Sequence, residues 1–178
     1  MRAGYEFQER VSDMIGSAML RKSQIGNGRS TPTVLIATTF ESRSTRCDAT
    51  LSPTCIIHHV SQPDHLESSL GILCPDILLL DIAFVGRPQS IVLIRRLSHS
   101  NKIIVLTPHP NKTEALSVLK AGAQGYCHAD IQQDVLTMAV ESVEKGEVWI
   151  GRKLIPYVLA ELVAARRAAH VPKLHSVH

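Results

Sequence analysis

From Thr33 onward the chain alternates short, nearly unbroken apolar runs with amphipathic segments, and that alternation leaves few folds open. The runs are Thr33–Ala37 (TVLIA), 54–60 (TCIIHHV), 76–82 (DILLLDI), Lys102–Thr107 (KIIVLT) and Gly125–His128 (GYCH). A strand that is apolar at nearly every position, rather than at every second one, belongs in a sheet covered on both faces. Between the runs lie helical patterns at 61–73, at Gln89–Leu97 with Ile91, Ile94 and Leu97 inward, and at 112–121. The clearest is 132–144, where the spacing puts Val135, Met138, Ala139, Ser142 and Val143 on one face. The segment 40–52 is polar and has the weakest pattern of the helical stretches. Strand–helix alternation with short connections implies right-handed crossovers, so the expected fold is α/β: a doubly wound, five-stranded parallel sheet with helices on both faces.

Two flanks extend this unit. In 1–32, Phe7, Val11, Met14, Ile15, Ala18 and Met19 recur at helical spacing, and Gly26-Asn27-Gly28-Arg29-Ser30-Thr31-Pro32 reads as a flexible linker. In 151–178 a helix over 154–167 is expected, with Ile155, Val158, Leu159, Leu162 and Val163 in a stripe and Pro156 in its first turn, followed by a basic tail. The domain itself is placed at 33–150.

Charge is divided along the same lines. The flanks carry five basic and three acidic groups (1–32) and five and one (151–178), whereas 33–150 carries nine and twelve. The centre is mildly acidic and lacks the dense basic patch of a nucleic-acid surface. No stretch reaches the roughly 18 uninterrupted apolar residues that a spanning helix needs, and the polar N-terminus lacks an apolar signal core, so a cytoplasmic address is expected. Cys47, Cys55, Cys74 and Cys127 lack CxxC spacing and read as reduced, mostly buried thiols. No GxGxxG or GxxxxGK[ST] phosphate loop occurs. His58-His59 and Cys127-His128 lack a second pair at metal-ligand spacing.

Ligands of an open parallel sheet bind beyond the carboxyl ends of its strands. Those ends hold Thr38 and Thr39, Asp81, Thr107 and Ala129. One carboxylate and one hydroxyl at such a rim could accept and then sense a phosphoryl group, although a carboxylate closing a buried strand is as often only a polar terminus.

Residues 74–86 (CPDILLLDIAFVG) look like the phospho-acceptor segment of bacterial two-component receiver domains. Lys102–Thr107 and Ala121-Gly122-Ala123-Gln124-Gly125-Tyr126 resemble the fourth strand and AGAxGY turn of the same family. Glu144-Lys145-Gly146-Glu147-Val148-Trp149-Ile150 is similar to the close of receivers in the NarL/FixJ (LuxR-type) branch. The likeness covers about residues 33–165. It implies a flavodoxin/CheY-like fold, with Asp81 at the phospho-acceptor position, Thr107 as the switch hydroxyl and Tyr126 as the aromatic rotamer switch. Four positions depart from the family pattern. Thr38 and Thr39 stand where the family has an acidic pair that binds Mg²⁺, Ala129 stands where it has a phosphate-pairing lysine, and Val85 replaces a proline.

Mg²⁺ is a hard cation held through carboxylates, and neutral threonines are poor substitutes. Glu41 could restore only one carboxylate and reads more simply as a solvated helix residue. The resemblance therefore implies an atypical receiver: a signalling module rather than an enzyme, without cofactor, with Mg²⁺ binding weak or lost. A homodimer is expected, through the fourth and fifth or the first and fifth helices, with a histidine kinase or other signalling protein as a further partner. In this branch DNA is reached only through a helix-turn-helix domain, absent from this chain, so the chain is expected to be the regulatory part of a longer transcriptional regulator, with a stand-alone interaction protein as the alternative. The competing readings are a conventional receiver phosphorylated on Asp81 and a flavodoxin-like ligand-binding or enzymatic domain.

Overall fold

The apolar runs become strands of one parallel sheet. The structure, a computed structural model, describes residues 31–86 and 89–169; the helical pattern within 7–19, residues 26–30 of the linker and the tail beyond Ala169 lie outside the described residues. In chain order the elements are β1 (Thr33–Ala37), α1 (Glu41–Leu51), β2 (Ile56–Val60), a 3-10 turn (Pro63–His65), α2 (Leu66–Leu73), β3 (Ile77–Asp81) and α3 (Gln89–Leu97). There follow β4 (Lys102–Thr107), α4 (Lys112–Lys120), β5 (Gly125–His128), α5 (Gln133–Glu144), β6 (Trp149–Ile150), a 3-10 turn (Arg152–Leu154) and α6 (Ile155–Ala169). The strand order is β2-β1-β3-β4-β5-β6, and every pairing is parallel.

Strand residues alternate between two cores, because successive side chains point to opposite faces. Leu35, Ala37, Leu78, Leu80, Ile103, Val105 and Tyr126 pack with Leu66, Leu70, Ile94, Ala115 and Val118 of α2, α3 and α4. Val34, Ile36, Ile77, Leu79, Ile104, Leu106 and Cys127 pack with Cys47, Leu51, Leu136, Ala139, Val140 and Val143 of α1 and α5. Covering on both faces is what the unbroken apolar runs require.

Several details depart from the sequence reading. The sheet has six strands, not five: Trp149 and Ile150 extend it beside β5, with Trp149 registered on Gly125. Trp149 thus packs on the α1/α5 core. The second strand starts two residues late, because the amides of Thr54 and Cys55 donate to the Leu51 carbonyl and close the turn after α1. Pro63 opens a separate 3-10 turn ahead of α2. The inward face of α5 is rotated from the expected one: Leu136, Ala139, Val140 and Val143 are buried, while Met138 is 54% exposed. The stripe expected on α6 also stays open, with Ile155, Leu159, Leu162 and Val163 exposed. This helix touches α4 through a Lys120–Glu161 ion pair and through Lys112 over the Tyr157 ring.

Candidate functional site at the carboxyl ends of the strands

The rim is built from the ends of β1, β3, β4 and β5 and from the first turns of α1. Alternation sorts its residues by face. Thr38 and Asp81 continue the β1 and β3 residues that face α1 and α5, and Ala129 lies in that same core. Thr107 continues the β4 residues Ile103 and Val105 that, like Tyr126, face the α2–α4 side.

Asp81 is buried, with a side chain 0% exposed, and it is paired with Arg43 of α1. Thr38 Oγ1 donates to Asp81 Oδ2 at 2.9 Å, and Arg43 donates to the same oxygen. The Ala83 amide donates to Oδ1 at 3.0 Å. Both carboxylate oxygens are therefore occupied by donors. The contacts close into a ring: the Phe40 amide donates to Thr38 Oγ1, and the Phe40 ring lies 4.8 Å from the Arg43 guanidinium carbon. Arg43 Nε is buried without a hydrogen-bond partner among the described residues.

One turn further along α1, Arg46 reaches the turn after β5. It donates to the Ala129 carbonyl and pairs with Asp130 at 3.1 Å. Ala129 is itself fully buried, and its amide donates to the Thr107 carbonyl. Arg43, Arg46, Cys47, Thr50 and Leu51 fall at i, i+3, i+4, i+7 and i+8 and so share one helix face. That spacing was visible in the sequence, but with only two apolar residues in it the face gave no hydrophobic signal. The two arginines are the functional candidates that the sequence reading missed.

The remaining candidates separate. Thr39 and Glu41 are exposed. Thr107 is buried, and its Oγ1 accepts a hydrogen bond from the His109 amide. Tyr126 points inward and is 1% exposed; its hydroxyl donates to Glu114 Oε1 at 2.8 Å and accepts from the Asn111 amide at 3.1 Å. Burial pushes the Cys47 thiol up, against the opposing pull of Arg46 and Arg43, and pushes Cys127 up to about 12. Neither provides a thiolate nucleophile at neutral pH. Among the described residues no three His, Cys, Asp or Glu side chains converge as a metal site would need.

No family model matches the chain. It is similar to the oxygen regulatory protein NreC of Staphylococcus haemolyticus, 29% identical over 92 residues that make up 50% of this chain and 42% of that protein. NreC of Staphylococcus aureus is 28% identical over 93 residues. The chain thus spans less than half the length of the curated relatives it matches. Among solved structures, a LuxR-family two-component response regulator from Aurantimonas superposes with a TM-score of 0.63 at 19% identity, covering 75% of this chain and 99% of that one. The receiver domain of the response regulator NarL from Mycobacterium tuberculosis gives 0.58 at 17% identity, covering 66% and 98%.

A parallel sheet of this order with a carboxylate closing β3 is the fold these response-regulator structures share. The sequence is similar to NreC oxygen regulatory proteins, and the fold to a LuxR-family two-component response regulator.

Proposed function

We propose that this receiver is atypical: it controls output through protein contacts, dimerisation foremost, with phosphorylation of Asp81 impaired or absent. One observation carries this reading. Asp81 has no exposed side-chain surface, and its oxygens already accept from Thr38, Arg43 and Ala83. A carboxylate attacks a phosphodonor through a free lone pair at close range, and here a guanidinium stands in that approach.

The donor set also does not fit Mg²⁺, which is bound through one or two carboxylates and neutralises charge as a phosphoryl group moves. The rim offers one buried carboxylate, already paired with a cation, and the hydroxyls of Thr38, Thr39 and Thr107. Ala129 supplies no ammonium to hold a phosphoaspartate. Losing a few kcal/mol of transition-state stabilisation slows transfer about tenfold for each 1.4 kcal/mol.

In this reading the chain is the regulatory part of a longer NarL/LuxR-type transcriptional regulator. Histidine kinases or other signalling proteins are its partners, and DNA is contacted only through a separate output domain. The relatives' names, an oxygen regulatory protein and a LuxR-family response regulator, support that placement.

The test is intact-protein mass spectrometry after incubation with acetyl phosphate or phosphoramidate and Mg²⁺, with Asp81→Asn as control. No phosphate-sized adduct is expected on the folded protein. An adduct that disappears in Asp81→Asn makes the chain a conventional receiver.

A further inference from the structure

We infer that Arg43 is the resident cation of the rim, occupying the place a divalent ion would take on Asp81, and that with Arg46 it straps α1 across the strand ends. The inference rests on the reading above and adds to it the residue that closes the site. Loss of the acidic pair explains weak metal binding by itself. It does not explain why a long, flexible guanidinium is drawn under cover to the one carboxylate left.

Three features argue that this contact is built rather than incidental. The Arg43 side chain is only 13% exposed, far below the 59% and 60% of the arginine and lysine in the surface pairs Arg96–Glu67 and Lys120–Glu161. It is fixed from both sides, by Asp81 on one and by the Phe40 ring on the other. Phe40 is held in turn through its amide on Thr38, one of the threonines that replaced the acidic pair. With a second carboxylate at position 38, Asp81 would lose its hydroxyl donor and meet a like charge instead. The substitution to threonine and the inward arginine thus belong to one arrangement.

Arg46 repeats the pattern at the second missing site. Where the lysine is replaced by Ala129, the Arg46 guanidinium reaches the same turn from α1 and holds the Ala129 carbonyl and Asp130. The two arginines, one turn apart, join β3 and the β5–α5 turn to a single helix. A guanidinium keeps its charge at every accessible pH and matches a carboxylate in geometry, so this rim is neutralised permanently instead of on metal arrival.

The experiment measures the change in Tm on adding Mg²⁺ for four proteins: the natural chain, Thr38→Asp/Thr39→Asp, the same pair with Arg43→Ala, and the same pair with Arg43→Gln. The natural chain is expected to show no shift. The acidic pair with Arg43 kept is expected to respond weakly, and either triple variant to gain about 3–6 °C at a tenfold excess of Mg²⁺ over its Kd. Equal shifts with and without Arg43, or no shift in either folded triple variant, would overturn the resident-cation proposal and leave the atypical reading standing. A shift in the natural chain would instead sink the atypical reading.

Should the triple variants not fold, Arg43→Gln alone is compared with the natural chain by Mn²⁺ line broadening of the Thr38 and Ala83 amides. Broadening at lower Mn²⁺ in Arg43→Gln supports the proposal; equal broadening overturns it.

Discussion

Asp81 is a buried charge whose environment consists of a guanidinium, a hydroxyl and an amide, so each partner matters more than a surface contact would. Removing one member of a buried ion pair leaves the other uncompensated, at a cost of about 3–5 kcal/mol. Asp81→Ala is therefore expected to lower stability by roughly that amount in urea unfolding, with Arg43 the group left stranded. A rim of unpaired, mutually repelling carboxylates would show the opposite sign. Cys74 offers an independent test. It caps α2 with φ 42°, the non-glycine residue with positive φ among the described residues. Left-handed backbone costs an L-residue about 1–2 kcal/mol and glycine almost nothing, so Cys74→Gly is expected to stabilise by about 0.5–1 kcal/mol once glycine's extra chain entropy is subtracted. At this scale Asp81, Thr38 and Ala129 were legible by position, because strand ends are fixed by the apolar runs before them. Arg43 and Arg46 were not. Arginines on a helix ordinarily read as solvated, and their partners lie 38 and 83 residues away in sequence.

At the scale of elements, the strands were easy and the helix faces harder. An apolar run buried on both sides has no face to misassign, whereas α5 has apolar residues on more than one side. Its expected face included Met138, but the core takes Leu136 and Val140 instead. The rotation follows from the α1/α5 core needing four residues against Cys47 and Leu51, with Met138 outside that stripe. Leu136→Ala is expected to cost about 2–5 kcal/mol, while Met138→Ala should stay within about 0.5 kcal/mol; reversed magnitudes in denaturant unfolding would restore the face read from the sequence. The helix α1 was weakly legible for a related reason. It buries only Cys47 and Leu51, and two further positions on that face, Arg43 and Arg46, serve the rim rather than the core. Gly125 marks another close fit, since a Cβ there would meet Ile104 Cγ1 at 2.7 Å. Overpacking of this kind costs about 1–3 kcal/mol, the loss expected for Gly125→Ala.

For the whole molecule, acid and alkali test the buried titrating groups with opposite signs. Burial, with a contribution from His59, lowers the pKa of His58. The unfolded imidazole then takes up its proton first, so the His58 contribution is intact above about pH 6.5 and is lost as pH falls through the lowered folded value. His58→Gln is expected to flatten the fall in Tm between about pH 7.5 and 5.5; an unchanged slope would remove His58 from the account. Cys47 and Cys127 act at the other end. Their folded thiols are raised, Cys127 to about 12, so stability is present below the unfolded thiol range and declines as pH climbs through it toward the folded values.

The covered Asp81 carboxylate has a consequence in time. A receiver that is phosphorylated and then hydrolysed keeps a short record of its last stimulus, and that record decays on its own. Under the proposed reading, a covered Asp81 runs no such clock. The influence of this chain would then follow how many copies exist, rising with synthesis and ending with dilution or proteolysis.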